Sequence, residues 1–246
     1  LSFKNLSELS HIRDQLRHTE SLAVMGSFAS SISHEIRNPL GSIRGLLEIL
    51  QADLPPEDRR RIYVERSLQE IDKLTSLTEN LLDLLHVERM TLKPGVDVNE
   101  VLRQSLSQAR QGFFTKSLRI DGKYGENLPP IEANPEMLSQ AFLNLILNAF
   151  QETPEGGYLS ISTMLLPSTI SIQFHNSGSC ISPEEKEKLF TPFFTTKPHG
   201  TGLGLFLAQR IVALHHGKIE VESGPEQGTT FHIELPLEKI EYGAAV

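Results

Sequence analysis

Apolar residues recur at steps of three and four positions through the first third of the chain, which is the spacing of one face of an α-helix. One run covers residues 22–50 and a second covers residues 64–85. The acidic, proline-containing segment 53–58 separates the two runs, so the pattern predicts a helical hairpin. Because two helices bury their apolar seams poorly alone, we expect a second copy of the chain to complete a four-helix bundle as a homodimer.

The same apolar spacing continues upstream of the hairpin through Leu6, Leu9, Ile12 and Leu16. Residues 1–20 are therefore interpreted as a coiled-coil connector that arrives from a domain outside this chain. Residues 21–92 form the hairpin, and residues 93–96, which contain a Pro-Gly pair, are predicted to be a linker. Residues 97–246 then form a second domain.

The second domain alternates between helical and strand patterns, and only three of the 17 glycines precede residue 93. Helical patterns cover residues 98–110, 135–151 and 203–215. Strand patterns, alternating or rich in β-branched residues, cover residues 158–165, 169–175, 218–221 and 230–235. This order predicts an α/β sandwich in which a mixed sheet carries helices on one face.

Charge and cysteine content narrow the classes of function. Acidic residues outnumber basic ones by 31 to 23, a net charge of -8, which argues against a nucleic-acid partner. Cys180 is the single cysteine, so an internal disulfide is excluded and a reducing compartment is expected. No apolar run has the length of a membrane span, and the chain begins at Leu1 without a signal-peptide pattern. We expect a cytoplasmic piece of a longer protein, whose own membrane anchoring stays open.

His34 is the first candidate for chemistry. It lies two residues from the apolar seam on either side, about 200° around the helix, so it is predicted to point outward. Glu35 can hydrogen-bond the imidazole and raise the basicity of its other nitrogen, and Asn38 lies one turn on, where an amide could position a water. A zinc-protease helix would need histidine at position 38 and is excluded. The other histidines, including His175 and His215, are expected to be ordinary surface residues.

Two polar features mark the second domain. Asn144 and Asn148 lie four residues apart on an otherwise apolar helix, where they would bind Mg²⁺ or form a hydrogen bond between elements. A glycine-rich run over residues 200–204 opens the next helix, whose N-terminus attracts phosphate. The aromatic, then polar segment 190–199 before it is typical of a mobile lid, or of a small apolar cluster under a surface loop.

Together these motifs resemble those of the bacterial two-component sensor histidine kinases. Residues 33–40 resemble the H box of that family, 144–148 its N box, 190–194 its F box, 200–204 its second glycine box and 228–231 its last strand motif. They occur in the family's order. The resemblance implies a dimerisation and histidine phosphotransfer hairpin followed by a Bergerat-type ATP-binding catalytic domain, with an upstream sensor domain outside this chain. Residues 149–157 are most similar to the nitrogen-regulation-like branch.

The resemblance also implies a reaction and its residues. His34 attacks the γ-phosphate of ATP with help from Glu35, and the phosphoryl group passes to an aspartate on the receiver domain of a response regulator. Asn38 serves a reverse, phosphatase activity, and Asn148 holds Mg²⁺. The implied nucleotide-binding residues are Asn144, Asn148, Gln151, Asn176, Gly178, Ile181, Lys197, Gly200, Thr201, Gly202, Leu203, Gly204 and Thr229.

The chain departs from the family at its first glycine box, which usually reads Asp-x-Gly-x-Gly. Asn176 replaces the aspartate that accepts from adenine, and Cys180 replaces the second glycine. A neutral acceptor is weaker than a charged one, so we expect about tenfold weaker adenine recognition. Cys180 is strained if its φ is positive. Two alternatives stay open: a degenerate kinase that acts as a dimeric scaffold for a regulator, and an unrelated Bergerat-fold ATPase that drives a clamp.

Overall fold

The computed structural model describes residues 36, 38–86, 91–113, 117–178, 180–197 and 200–237. The chain divides into two compact units. One contains the helical residues up to Arg89 together with Lys197–Thr201, and the other contains residues from Met90 onward except that short segment. Among the described helices, none combines the length and apolar character needed to cross a bilayer.

The helical unit contains α1, described over residues 38–53, and α2, Arg61–His86. The turn between them is held by side chains as well as backbone. The guanidinium of Arg61 donates to the carbonyls of Gln51 and Leu54 at 2.9 and 2.8 Å, which satisfies acceptors at the end of α1. The predicted hairpin is therefore present over the described residues, while the predicted connector 1–20 lies outside them.

Over its described residues, the second unit contains four helices and seven strands. Its helices are α3 Val98–Phe113, α4 Pro135–Glu152, α5 Pro183–Lys188 and α6 Gly204–Leu214. Its strands are β1 Lys93–Val96, β2 Arg119–Lys123, β3 Ile131–Ala133, β4 Tyr158–Leu165, β5 Thr169–Asn176, β6 Lys218–Gly224 and β7 Gly228–Pro236. The three longer predicted helices and all four predicted strands are confirmed, whereas β1, β2, β3 and α5 were not predicted.

Five of the strands form one mixed sheet in the order β2-β4-β5-β7-β6. β2 is parallel to β4, and the other neighbours are antiparallel. α4 packs on β5, and α3 and α6 both pack against α4. Alternate strand residues face these helices and are fully buried, among them Ile172, Phe174 and Phe231. The predicted α/β sandwich is confirmed.

Residues 93–96 form β1 and are not the predicted linker. β1 pairs with β3 in a separate two-stranded sheet, with Lys93 opposite Ala133 and Val96 opposite Ile131. Pro94 cannot donate to a ladder and Gly95 has a φ of +82°, which explains why the sequence favours a break. A short edge pair with an irregular register tolerates both residues.

Candidate nucleotide site

The candidate site begins on α4, whose start is fixed by an N-cap. The side chain of Asn134 accepts from the backbone N–H of Met137 at 3.0 Å, and Pro135 occupies the first turn. The apolar face of α4 is buried, and Asn144 and Asn148 are half-buried beside it. Gln151 lies near the end of the helix and is exposed.

The amide of Asn144 meets the start of α6. A Cβ on Gly204 would lie 3.6 Å from Oδ1 of Asn144, an ordinary van der Waals contact, so the Asn144 side chain lies next to the start of α6. Nδ2 of Asn144 is buried and has no hydrogen-bond partner among the described residues. An unmade hydrogen bond at a buried donor is costly, so this N–H fits an acceptor supplied by a ligand. The phosphate oxygens of a nucleotide at the α6 N-terminus are acceptors of that kind.

Asn176 ends β5 and is 1% exposed. The register places it opposite Leu159 on β4 and opposite Thr229 on β7. Gly228 has a φ of +74°, and a Cβ there would collide with the carbonyl oxygen of Asn176. The backbone of β7 therefore fits closely against Asn176, and only glycine allows that approach.

Thr229 belongs to a hydrogen-bond group that also holds Ile181. Oγ1 of Thr229 lies 2.8 Å from Oγ of Ser223, and Ser223 accepts from the backbone N–H of Ile181 at 2.9 Å. Ser223 was not among the predicted site residues. Serine in a strand has no distinctive local pattern, and its partners lie 42 residues before it and 6 after it.

Gly178 follows the same strand end. It has a φ of +94°, and a Cβ would lie 2.5 Å from Cδ of Pro154. Both the conformation and the contact require glycine. Cys180, two residues on, is exposed.

The predicted F box and the glycine run are joined through backbone contacts. The N–H of Phe193 donates to the carbonyl of Gly202 at 3.0 Å, and a Cβ on Gly202 would collide with the Phe193 backbone. Phe190 packs edge-on against Phe231 with ring centroids 6.5 Å apart. Phe193 itself is 66% exposed, so this segment combines an apolar anchor with an exposed ring. Leu203, which precedes α6, is 1% exposed.

The remaining predicted residues belong to the helical unit or fall outside the described residues. Lys197, Gly200 and Thr201 belong to the short segment grouped with the helical unit, where the N–H of Gly200 donates to the carbonyl of Lys197 at 3.2 Å. Asn38 is exposed on α1, and its carbonyl accepts from the Ser42 hydroxyl at 3.1 Å. His34 and Glu35 lie outside the described residues.

Two histidines expected to be ordinary surface residues are not. His215 is 3% exposed, its Nε2 accepts from the backbone N–H of Asn134 at 2.9 Å, and its Nδ1 lies 2.8 Å from the Ile211 carbonyl. Burial lowers the pKa of His215, so the neutral ring is favoured. His175 is half-buried between Tyr158 and Thr230, at 3.0 and 2.8 Å, and burial lowers its pKa as well.

Two family models match the chain. The His Kinase A (phospho-acceptor) domain matches residues 24–89. The histidine kinase-, DNA gyrase B- and HSP90-like ATPase domain matches residues 133–239. The first match contains His34, and the second contains the α4, β5, α6 and β7 residues described above.

Curated relatives cover nearly the whole chain. Sensor histidine kinase ZraS of Escherichia coli strain K12 is 33% identical over 226 residues, which is 92% of this chain and 48% of ZraS. Sensory histidine kinase/phosphatase NtrB of Azospirillum brasilense is 32% identical over 243 residues, which is 92% of this chain and 59% of NtrB. The chain thus spans about half the length of the curated relatives it matches.

Solved structures agree with these relatives. The catalytic domain of histidine kinase ThkA is 31% identical with a TM-score of 0.55, covering 60% of this chain and 97% of that domain. ThkA in complex with response regulator protein TrrA is 26% identical with a TM-score of 0.65, covering 94% of this chain and 67% of that one. The chain belongs to the two-component sensor histidine kinases, of which it represents the catalytic core.

Proposed function

We propose that this chain transfers the γ-phosphoryl group of ATP to His34 and then to an aspartate of a response regulator. The observation that carries the proposal is the buried amide nitrogen of Asn144, which has no hydrogen-bond partner among the described residues. Oδ1 of the same side chain lies next to Gly204 at the start of α6. The amide nitrogen offers a donor to phosphate oxygens at a helix N-terminus. The match of residues 24–89 to a phospho-acceptor domain supports His34 as the acceptor of the phosphoryl group.

Each end of the nucleotide has its own group of residues in this proposal. Asn176 and Thr229 hold the base, and Gly178 and Ile181 lie at the same end. Asn144, Gly202 and Gly204 hold the phosphates. The proposed nucleotide-binding set also includes Lys197, Gly200 and Thr201. It is completed by Leu203 at the start of α6 and by Gln151 near the end of α4.

A Mg²⁺ ion fits the amide chemistry of α4. Asn148 lies one helical turn beyond Asn144, and an amide oxygen is a ligand that Mg²⁺ accepts together with phosphates and waters. When bound, the ion neutralises charge on the phosphates. The protein contributes the half-buried position of Asn148 on α4.

The chemical step takes place at His34. A ring nitrogen with its lone pair free bonds to the γ-phosphorus while the bond to the oxygen bridging the β- and γ-phosphorus breaks, and ADP leaves with that electron pair. Glu35 accepts a hydrogen bond from the other ring N–H and stabilises the positive charge that develops on the imidazole. Positioning and charge neutralisation supply most of the catalysis. The phosphoryl group then passes to an aspartate carboxylate of the regulator.

The proposal includes two protein partners. A second copy of the chain completes the helical bundle, because several apolar residues of α1 and α2 are exposed in the single chain. A response regulator receiver domain accepts the phosphoryl group, as the complex of ThkA with TrrA suggests by similarity. Asn38 is proposed to position water for hydrolysis of the regulator's phosphoaspartate.

The direct test is incubation of the purified chain with γ-labelled ATP and Mg²⁺, followed by acid or alkali. Label that is lost in acid and kept in alkali is expected, because phosphohistidine is acid-labile. His34→Ala should abolish labelling and leave ATP binding intact, and His86→Ala is the matched control. Labelling of His34→Ala at the wild-type rate would contradict the assignment.

The metal ligand has a separate test. Asn148→Ala should remove Mg²⁺-dependent nucleotide binding while circular dichroism stays that of the wild type. Gln140→Ala, a half-buried amide two turns earlier on α4, is the control. Unchanged affinity for Mg·ATP in a folded Asn148→Ala variant would show that the ion is held elsewhere.

One observation favours a second candidate, a degenerate kinase that scaffolds a regulator with weak or no ATP use. The residue at the strand end is Asn176, which is neutral and buried, where the family usually has an aspartate. Calorimetric titration with a non-hydrolysable ATP analogue separates the two candidates. Absent binding at millimolar nucleotide supports the scaffold, and binding at micromolar concentrations supports the kinase.

A further inference from the structure

Ser223 lies on β6 where three segments meet. Its hydroxyl oxygen accepts from the backbone N–H of Ile181 at 2.9 Å and lies 2.8 Å from Oγ1 of Thr229. Its carbonyl accepts from Nζ of Lys186 on α5 at 2.8 Å. One residue therefore joins β6, β7 and the segment that leads from β5 into α5.

The contact with Thr229 links Ser223 to the end of the candidate nucleotide site where the base is proposed to bind. Thr229 is 2% exposed, and it lies opposite Asn176 on one side and opposite Ser223 on the other. A hydroxyl has one proton and two acceptor positions. The Ile181 N–H occupies one acceptor position of Ser223, so the serine hydroxyl is itself held while it bonds to Thr229. Either hydroxyl can be the donor, and in both cases the bond holds Oγ1 of Thr229 at 2.8 Å from Ser223.

The contact with Ile181 bears on the segment after Gly178. Ser182 caps α5, accepting from the Glu185 N–H, while Glu185 accepts from the Ser182 N–H in return. This cap fixes α5 relative to Ser182, and the two bonds from Ile181 and Lys186 fix the whole segment to β6.

We propose that Ser223 is a positioning residue for base recognition: it holds the Thr229 hydroxyl in place beside Asn176 and holds Ile181 at the same end of the site. The proposal rests on the proposed function, because it requires a nucleotide base to bind at Asn176 and Thr229. Since Ser223 acts at the base end, its effect is independent of the number of phosphates.

The experiment uses the full chain and titrates a non-hydrolysable ATP analogue and ADP by calorimetry. Ser223→Ala should raise the dissociation constants of both nucleotides by the same factor, about fivefold to tenfold, the range expected for one hydrogen bond. The KM for ATP in autophosphorylation should rise equally, with kcat within about twofold of wild type. Ser223→Thr keeps the hydroxyl and suits a strand, so it should restore affinity to within about twofold.

Ser105→Ala is the matched control. Ser105 is fully buried on α3, and its hydroxyl donates to the Val101 carbonyl at 2.8 Å and lies 3.0 Å from Oγ of Ser139 on α4. Neither Ser105 nor Ser139 is among the proposed nucleotide-binding residues. This variant should lose stability without a change in nucleotide affinity. If Ser223→Ala does not fold, Ser223→Cys is the second variant. A thiol has nearly the volume of the hydroxyl but is a weak acceptor, so Ser223→Cys should show the same loss of affinity.

Three results would overturn the inference: wild-type affinity in folded Ser223→Ala or Ser223→Cys, an equal loss in Ser105→Ala, or a loss for the ATP analogue without one for ADP. Each of these leaves the proposed function standing, because wild-type protein still binds nucleotide. Failure of the wild-type chain to bind either nucleotide would overturn the proposed function and the inference with it.

Discussion

The helical hairpin and the α/β unit differ in how far their apolar side chains are exposed. In the described part of the hairpin, Ile43, Leu50 and Leu74 are 46–48% exposed although they lie on the two apolar seams. In the α/β unit, Phe142 and Ile172 are fully buried, as are most of the residues that α4 and the sheet turn toward each other. The α/β unit therefore completes its core within one chain, and the hairpin needs a surface from outside it.

The difference indicates where association and where ligand binding belong. Burying an exposed leucine or isoleucine contributes about 1.5–3 kcal/mol, so an unfinished seam favours assembly. A densely packed core holds the backbone and side chains at its edge in fixed positions. A binding site for a small molecule requires residues that are held in this way. A substitution in the hairpin should therefore alter dimerisation, and a substitution in the α/β unit should alter its stability or its ligand affinity.

The largest effect is expected from Ile43→Ser combined with Leu50→Ser. These side chains are half exposed in the single chain, and four of them would be buried per dimer, so dimerisation should weaken by about 4 kcal/mol, roughly a thousandfold. Sedimentation equilibrium measures the change. The melting of the α/β unit should not move.

A matched pair tests whether position on the seam matters. Leu46 and Ile49 are 68% and 61% exposed on α1. They are not among the residues of the predicted apolar seam, which in the described part of α1 are Leu40, Ile43, Leu47 and Leu50. Leu46→Ser combined with Ile49→Ser should leave the dimer intact. Equal weakening by both pairs would show that the hairpin associates through a different face.

The next effect is expected from Gly228→Ala in the α/β unit. The new Cβ would collide with the Asn176 carbonyl oxygen, and the φ of +74° adds backbone strain, so unfolding free energy should fall by about 3 kcal/mol. Chemical denaturation measures the loss, and the dimerisation constant should stay that of the wild type.

Gly156→Ala isolates the collision. Gly156 has a φ of +75°, but a Cβ there would meet nothing within 4 Å. This variant should cost about 1 kcal/mol, the backbone strain alone. Losses of the same size at both glycines would mean that the backbone of β7 yields to the added methyl.

A smaller effect concerns pH. Burial lowers the pKa of His215 and of His175 below the ordinary value of 6.5. Between pH 6.5 and the lowered pKa values, the unfolded state therefore binds more protons than the folded state. The stabilisation is complete above pH 6.5 and is lost as pH falls through the lowered pKa values. His215→Gln should remove most of this dependence in thermal melts of the α/β unit, and His216→Asn, the neighbouring exposed residue, should not.

The hairpin has its own acidic limit. Hydrogen bonds from Arg60 lower the pKa of Asp58 to about 2, below its ordinary 3.8. Its contribution is present above pH 3.8 and is lost only as pH falls toward 2. Between pH 6.5 and 4.5 the α/β transition should therefore move while the hairpin transition stays fixed. Parallel shifts of the two transitions would contradict the separation of the units.

The smallest effect is expected from Asn176→Asp. A carboxylate accepts more strongly than an amide from the amino group of a base, so affinity for a non-hydrolysable ATP analogue should rise by about 1 kcal/mol. Because the position is 1% exposed, the free variant should also melt at lower temperature. Weaker binding than wild type would show that the pocket is built around the amide.

The parts of the fold that the sequence predicts are those with long periodic patterns. α4 has an N-cap, a proline in its first turn and an apolar face, and β5 and β7 alternate over eight and nine residues. The missed elements lack such patterns. β2 has no buried residue, β3 has three residues, and α5 has six residues with none buried.

The residues of the candidate site also divide into those that the sequence predicts and those that it does not. The resemblance to the family implies that Asn176 and Thr229 lie at the same end of the site, and the register of β5 and β7 places them opposite each other. The burial of His215 was not predictable, because its partner Asn134 is 81 residues away and neither residue has a local signal. Ser223 was missed for the same reason, because a hydrogen bond between segments far apart in the sequence produces no local residue pattern.

The pairing of β1 with β3 has a practical consequence for dissecting the protein. Lys93 forms an ion pair with Glu136 at 3.0 Å, and Asn134 donates to the Thr91 carbonyl at 3.2 Å. The Pro-Gly pair after Lys93 looks like a convenient place to cut, yet cutting there would strip β3 of its only described neighbour in the sheet and uncover Ile131. An isolated α/β unit should therefore begin before Thr91.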